Sequence, residues 1–291
     1  MMLFVAHRGA SADAPENTLA AVRLAWEQGA DAVEIDIHWT RDRQLAVIHD
    51  PTTRRTGRVR RRISRSLWRR LADIDVGLHR GESFRGERIP LLSQVLALVP
   101  PGKRIFIEIK GRSQRVEELD DCLTAAGKRH QAIVMCFNLR RLAAFKRRAH
   151  DVQTFWLRGP RVRKNPPGLD PINRSWLRRA VNAGLDGLSI FHRDINPALV
   201  ACLHEAGMQV NGWTVRTPED ARRLAALGVD SITADSVTMA REAVRTAPPP
   251  TAGSPRSTAA AAPAPPTVLA PPIALRNPAA AGPDGAAGRQ R

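Results

Sequence analysis

The feature that most constrains this chain is an alternation, repeated eight times, of short β-rich runs with longer amphipathic ones. The strand candidates are LFVA (3–6), AVEIDI (32–37), RIFIEI (104–109), AIVMCF (132–137), QTFWL (153–157), GLSI (187–190), MQVNGWTV (208–215) and SITA (231–234). Between them lie helical patterns such as PENTLAAVRLAWEQGA, LRRLAAFKRRA and TPEDARRLAALG, with apolar residues at helical spacing. Asn196 and Thr217 each precede a proline, the cap-then-proline order of a helix start. Gly29, Gly127, Gly207 and Gly228 stand where helices should stop. Eight strand–helix units predict an α/β protein of the closed parallel type, a (β/α)8 TIM barrel. An open doubly wound sheet is the alternative. It lacks support because no GxGxxG turn follows the first strand.

Composition marks the edges of this unit. The last 46 residues, from Thr246 on, hold 11 of the 22 prolines and show no periodic apolar pattern. They cannot bury enough apolar surface to offset ordering, and read as a disordered tail, 246–291, behind a folded domain of 1–245. Residues 50–90 break the alternation and read as an insertion after the second strand. Between Arg54 and Arg88 this insertion carries 12 arginines against four acids, much of the chain's formal net charge of +17. The bias reads first as a solvated arginine-rich surface, since arginine is frequent elsewhere and no aromatic stripe accompanies it. Attraction to an anion, whether phosphate substrate, lipid surface or nucleic acid, is the alternative. Cys122, Cys136 and Cys202 are far apart and form no CxxC pair, which argues against a disulfide scaffold or a thiolate zinc site. The apolar run Met1–Ala6 is too short for a signal core or a span, and no stretch reaches the ~18 apolar residues of a transmembrane helix. The expected compartment is the cytoplasm.

In a barrel the chemistry sits where strands end at their C-terminal face. His7-Arg8 follow the first strand, and Glu34 and Asp36 are expected at the end of the second. His49-Asp50 close LAVIHD, Glu108 and Lys110 end the third strand, and Trp213 ends the seventh. Glu34 and Asp36 are two apart, so both point to one face while Val33, Ile35 and Ile37 point to the other. Three inward carboxylates would repel one another without a cation between them. Oxygen donors of this kind suit one hard divalent ion, Mg²⁺ or Ca²⁺.

HRGASADAPENT, the spacing to VEIDIHWTRDRQLAVIHDPTTRRT, then FIEIK, GWTV and GVDSITAD resemble the glycerophosphodiester phosphodiesterase family, from Val5 to about Asp235. The resemblance implies a barrel of the phospholipase-C-like phosphodiesterase type with a small insertion after strand two. It implies metal-dependent hydrolysis of glycerophosphodiesters, such as glycerophosphocholine, to sn-glycerol 3-phosphate and an alcohol, in phospholipid or glycerol metabolism. His7 and His49 match the family's catalytic histidines, Glu34, Asp36 and Glu108 its metal ligands, and Arg8 and Lys110 its phosphate-contacting cations. The chain departs from the family pattern at Leu91, where threonine is usual. It departs again at Ala234-Asp235-Ser236, where TD-x-P is usual. The basic, proline-rich stretch Arg158 to Pro171 is expected to reshape the pocket rim.

Phosphodiester hydrolysis needs a base for the attacking oxygen and an acid for the leaving alkoxide, and two histidines suit both tasks near neutral pH. His38, His79, His130, His150, His192 and His204 read as structural or surface residues. Asp50 would orient an imidazole or cap a turn, Asn17 would hold the HRG loop, and Glu16 would start the first helix. Trp213 would wall the glycerol carbons. The expected partner is a small-molecule diester, with no specific nucleic acid and at most weak association with anionic surfaces. Two competing readings are a phospholipase acting on intact lipid head groups and a non-enzymatic, polyanion-binding barrel.

Overall fold

In the computed structural model of the chain the alternation closes on itself. The structure describes residues 1–160 and 171–247. The tail beyond Ala247, and residues 161–170 of the basic stretch expected at the pocket rim, lie outside the described residues. In chain order the strands are β1 (Leu3–His7), β2 (Ala32–Trp39), β3 (Leu45–Val47), β4 (Arg104–Ile109), β5 (Ala132–Cys136), β6 (Gln153–Arg158), β7 (Gly187–Phe191), β8 (Gln209–Val215) and β9 (Ser231–Ala234). All but β3 pair in parallel around a ring, which β1 closes by pairing with both β9 and β2. The expected eight-stranded TIM barrel is therefore present.

β3 is a ninth strand that the alternation did not register. It pairs antiparallel with the far end of β2, Ile37 opposite Val47 and Trp39 opposite Leu45. This hairpin turns at Thr40–Gln44, where Arg43 takes a left-handed φ of 65°. Because β3 continues its pairing, β2 runs on to Trp39. Glu34 and Asp36 thus lie midway along β2 and not at its end, and Trp213 lies two residues before β8 ends.

Local sequence explains the helices. Thr18, Asn138, Asn196, Thr217 and Ser236 each accept a hydrogen bond from a backbone N–H in the first helical turn, and Pro197 and Pro218 follow two of them. Gly29, Gly127, Gly207 and Gly228 have φ between 64° and 77° just past helix ends. The first helix starts at Leu19, so Glu16 stands before it, free to reach elsewhere.

Strand alternation then sorts the core. Outward residues such as Val33, Ile35, Ile37, Ile105 and Ile107 pack under the helices. Inward, Phe106, Ile133, Met135, Phe155 and Leu157 fill one half of the barrel with apolar side chains. The other half is polar. Buried Asn211 donates to Ser189 Oγ (2.8 Å) and accepts from Ser231 Oγ (2.8 Å) and Thr233 Oγ1 (3.1 Å), tying β7, β8 and β9 together. The insertion packs Ile63, Leu71, Val76 and Ile89 against Ala46 of β3 and Ile48 in a small separate core.

Asn211 serves three hydroxyls at once, and leaving a buried polar group unpaired costs about 1–3 kcal/mol. Asn211→Leu should therefore lower unfolding free energy by about 3 kcal/mol or more in urea titration, and Ser231→Ala by about 1 kcal/mol. An Asn211→Leu loss below 1 kcal/mol would show that the three hydroxyls find other partners.

Candidate active site

Period-2 alternation puts Glu34 and Asp36 on the inner face of β2 and Glu108 on that of β4, where the parallel register sets Asp36 directly opposite Glu108. All three are buried, and one carboxylate oxygen from each lies within 4.8 Å of the others. Two cations answer this charge. Lys110 Nζ lies 2.7 Å from Glu108 Oε1 and 3.1 Å from Asp36 Oδ1. Arg8 Nε lies 3.3 Å from Asp36 Oδ2, and the Arg8 backbone N–H donates to Glu34 Oε2 at 3.0 Å. Asn17 clasps Asp36 from behind: its amide donates to Oδ2 at 2.8 Å and its carbonyl accepts from the Asp36 N–H at 3.1 Å. Arg8 and Asn17 both adopt left-handed φ angles, 56° and 59°, which side chains other than glycine rarely take. Gly9 between them has φ 79°, and a Cβ there would come within 2.6 Å of the Ala21 backbone. The HRG loop is thus pressed onto the first helix and its amide aimed at Glu34.

The charges remain unequal. Burial pushes the Glu34 carboxyl well above the usual carboxylate range, and Asp36 and Glu108 push it the same way. Glu108 is pushed up to about 7, by burial first and Asp36 second. For Asp36, burial is outweighed by Lys110 and Arg8, which hold it well below its ordinary value. Two buried carboxyls with raised proton affinity beside a third that stays ionised form a site short of positive charge. Its donors are all hard oxygens on rigid strands, which fits Mg²⁺ or Ca²⁺.

The two histidines of the motif flank this cluster in matching ways. His7, the last residue of β1, has Nδ1 2.6 Å from Asp235 Oδ1, and Asp235 Oδ2 accepts from Arg216 Nε at 2.6 Å. His49, after β3, has Nδ1 2.7 Å from Asp50 Oδ1, and Asp50 Oδ2 accepts from Arg55 Nε at 2.8 Å. Each imidazole therefore uses Nδ1 on an aspartate, leaving Nε2 for other work. Burial raises Asp235, but hydrogen bonds from His7 and Arg216 outweigh it and bring the group to about 2. Asp50 is likewise held low by Arg55 and His49 against its burial. Arg55 also grips Glu16 with both terminal nitrogens, at 2.6 and 2.8 Å, and Glu16 accepts from Arg8 at 2.9 Å.

A cavity of about 250 Å³ opens between these groups. His7, Arg8, Glu34, His49, Glu108 and Lys110 line one side, and Trp213 with Phe137 and Phe191 the other. Both phenylalanines meet the Trp213 ring edge to face, with centroids 5.8 and 6.1 Å away. Every residue singled out in the sequence thus lies on this cavity or directly behind it, with Asp36, Asn17 and Asp50 in the supporting positions. Asp235, Arg55, Arg216, Phe137 and Phe191 were not singled out as site residues. Asp235 carried a signal, as the acid in the motif after the last strand. The two arginines carried none, since neither is distinguishable in sequence from its neighbours. Glu16, expected only to start a helix, is a bridge between Arg8 and Arg55.

Residues 7–239 match the family model described as the glycerophosphoryl diester phosphodiesterase family. Bacillus subtilis YhdW is 32% identical over 237 residues, covering 80% of this chain and 94% of its own. The glycerophosphodiester phosphodiesterase of Caldanaerobacter subterraneus subsp. tengcongensis is 32% identical over 240 residues, 80% of this chain and 93% of that protein. An Oleispira antarctica phosphodiesterase, solved with its product sn-glycerol-3-phosphate, shares the fold with a TM-score of 0.73 at 24% identity, over 84% of this chain and 97% of that one. A family match over most of the chain sets aside the non-enzymatic barrel. The chain belongs to the glycerophosphoryl diester phosphodiesterase family and is, with its relatives, a phosphoric diester hydrolase.

Proposed function

We propose that this protein hydrolyses glycerophosphodiesters to sn-glycerol 3-phosphate and an alcohol, in the cytoplasm, with His7 and His49 as the acid–base pair. The observation that carries the reading is the pair of imidazoles, each tied through Nδ1 to an aspartate, bordering a cavity lined by Glu34, Glu108, Arg8 and Lys110 with Asp36 behind them. Relatives named for this activity support the substrate class.

Glu34, Asp36 and Glu108 would hold one divalent ion, Mg²⁺ or Ca²⁺, which when bound polarises a phosphoryl oxygen and relieves the repulsion among its ligands. Arg8 and Lys110 draw the diester anion to the carboxylate side of the cavity. Trp213, flanked by two phenylalanines, offers a flat apolar face to the glycerol carbons. One imidazole takes the proton of the attacking oxygen as that oxygen bonds to phosphorus. The other gives a proton to the departing alkoxide as the ester P–O bond breaks. Asp235 and Asp50 each engage Nδ1, which leaves Nε2 for this exchange, bare on the base and protonated on the acid, and Asn17 keeps Asp36 in place. Among the described residues no helix is long and apolar enough to cross a membrane. The catalytic unit is residues 1–245, ending with the helix Val237–Arg245.

EDTA treatment should abolish turnover, measured as glycerol 3-phosphate release, and Mg²⁺ or Ca²⁺ should restore it. Glu34→Ala should weaken metal binding by calorimetry and activity together. Full activity in demetallated protein would remove the metal from the scheme.

His7→Ala and His49→Ala should each lower kcat by roughly 10²–10⁴-fold with little change in KM. On a p-nitrophenyl ester, whose leaving group needs no proton, the variant lacking the acid should recover and the other should not. A variant with near wild-type turnover on an alkyl diester would exclude that histidine.

Truncation after Arg245 should leave kcat and melting temperature unchanged. Substantial loss of either would place part of the tail in the folded unit.

A further inference from the structure

Apart from Arg55, the arginines clustered in the first part of the insertion take no part in the proposed chemistry. From Pro51 to Ala72 the chain has nine arginines and no acidic residue. One of them, Arg55, is committed to Glu16 and Asp50. The remaining eight, from Arg54 to Arg70, are all exposed, and none forms an ion pair among the described residues. They do not sit on a loose coil. Ile63 and Leu71 are fully buried in the small separate core, and Trp68 packs against it. The backbone is stitched at Thr53 N–Arg61 O (3.0 Å), Arg61 N–Thr53 Oγ1 (3.1 Å) and Ile63 N–Pro51 O (3.1 Å). A cluster of like charges on a knitted turn repels itself and lowers stability unless an external anion meets it. At its centre, between Arg58 and Arg60, stands Val59, half exposed and one of the few large apolar side chains left in solvent among the described residues.

We propose that this face is a docking surface for anionic phospholipid membranes, with Arg58, Arg60, Arg61 and Arg62 meeting lipid phosphates and carboxylates and Val59 entering the headgroup layer. Charge complementarity supplies the attraction, because basic residues are drawn to anionic leaflets within a Debye length. The apolar tip decides between kinds of polyanion. Strand-wise nucleic-acid binding draws on exposed aromatic rings for base stacking, and this run offers none, its one tryptophan being packed on the insertion core. A short exposed aliphatic side chain between Arg58 and Arg60 in sequence suits a headgroup interface instead. Position gives the docking a consequence. Arg55 joins the run to Asp50, and Asp50 to His49, so the docking segment is linked through Arg55 to the active site. The proposal concerns binding alone and stands whether or not the assigned substrate is correct.

The test is co-sedimentation of the full chain with large vesicles, of phosphatidylcholine alone or with about one third phosphatidylglycerol, at low and high salt. Binding should require the anionic lipid and weaken strongly with salt. Each basic residue near such a surface is worth about fivefold in affinity. R60Q/R61Q should therefore bind ~20-fold more weakly, and R58Q/R60Q/R61Q/R62Q several hundred-fold, with turnover of a soluble diester unchanged. V59S should reduce vesicle binding and leave heparin binding intact. The double variant serves if the quadruple one misfolds by circular dichroism. The proposal is overturned by equal binding to zwitterionic vesicles or by undiminished vesicle binding of the folded variants. Tighter binding of a single-stranded oligonucleotide than of anionic vesicles at the same salt would likewise overturn it.

Discussion

Everything distinctive about this barrel depends on one electrostatic constraint: three carboxylates are buried within a few ångströms of one another on two adjacent strands. The placement follows from alternation and register, since Glu34 and Asp36 share a face of β2 and Asp36 stands opposite Glu108 on β4. Burying such groups is costly unless charge is returned to them. Lys110 returns it from just past the end of the strand that carries Glu108, two residues on, and Arg8 returns it from the neighbouring loop. The left-handed backbone at Arg8 and Asn17, and the close approach at Gly9, follow from the same need. They bring an amide to Glu34 and a carboxamide to Asp36 that a relaxed loop would not deliver. Strain of this sort persists only where surrounding contacts over-determine it.

The histidines extend the pattern outward. Each is fastened at Nδ1 by an aspartate, and each aspartate is fastened by an arginine Nε, although the two sets come from unrelated parts of the chain. On the His7 side the aspartate follows the last strand, so closing the barrel is what completes the site. On the His49 side the arginine belongs to the insertion, so the excursion after β3 is structurally joined to the chemistry. Glu16 links Arg55 to Arg8, and through Arg8 the network reaches the carboxylate cluster.

How much of this was legible in the sequence varies with the range of the interaction. Strand positions, helix caps at Asn196 and Thr217 and the paired carboxylates of VEIDI were readable, because they depend on neighbours a few residues away. β3 was missed because three residues cannot show a period, and its existence rests on pairing with β2. The His7–Asp235 contact spans 228 residues, and no local pattern announces it. Arg55 is one of nine arginines in 22 residues, and only the fold separates it from the eight that face solvent. The aromatic wall escaped for a different reason. Phe137 and Phe191 each end an apolar run, where sequence cannot tell a core residue from a cavity lining.

The barrel interior is itself divided, and the division bears on how a diester would lie. Beneath the cavity, β4, β5 and β6 supply Phe106, Met135 and Leu157, while β7, β8 and β9 supply the Asn211-centred hydroxyl cluster. Trp213 stands directly above Asn211 on β8, so the aromatic wall rests on a polar, hydrogen-bonded footing that fixes the height of its strand. A fully apolar barrel would leave those side chains freer to repack, since apolar contacts are tolerant of rearrangement where hydrogen bonds are directional. The cluster thus ties β8 to both of its neighbours one layer below Trp213. On the proposed reading Arg8 and Lys110 take the phosphate on one wall and Trp213 the glycerol carbons on the other, and this hydrogen-bonded footing keeps the second wall from yielding.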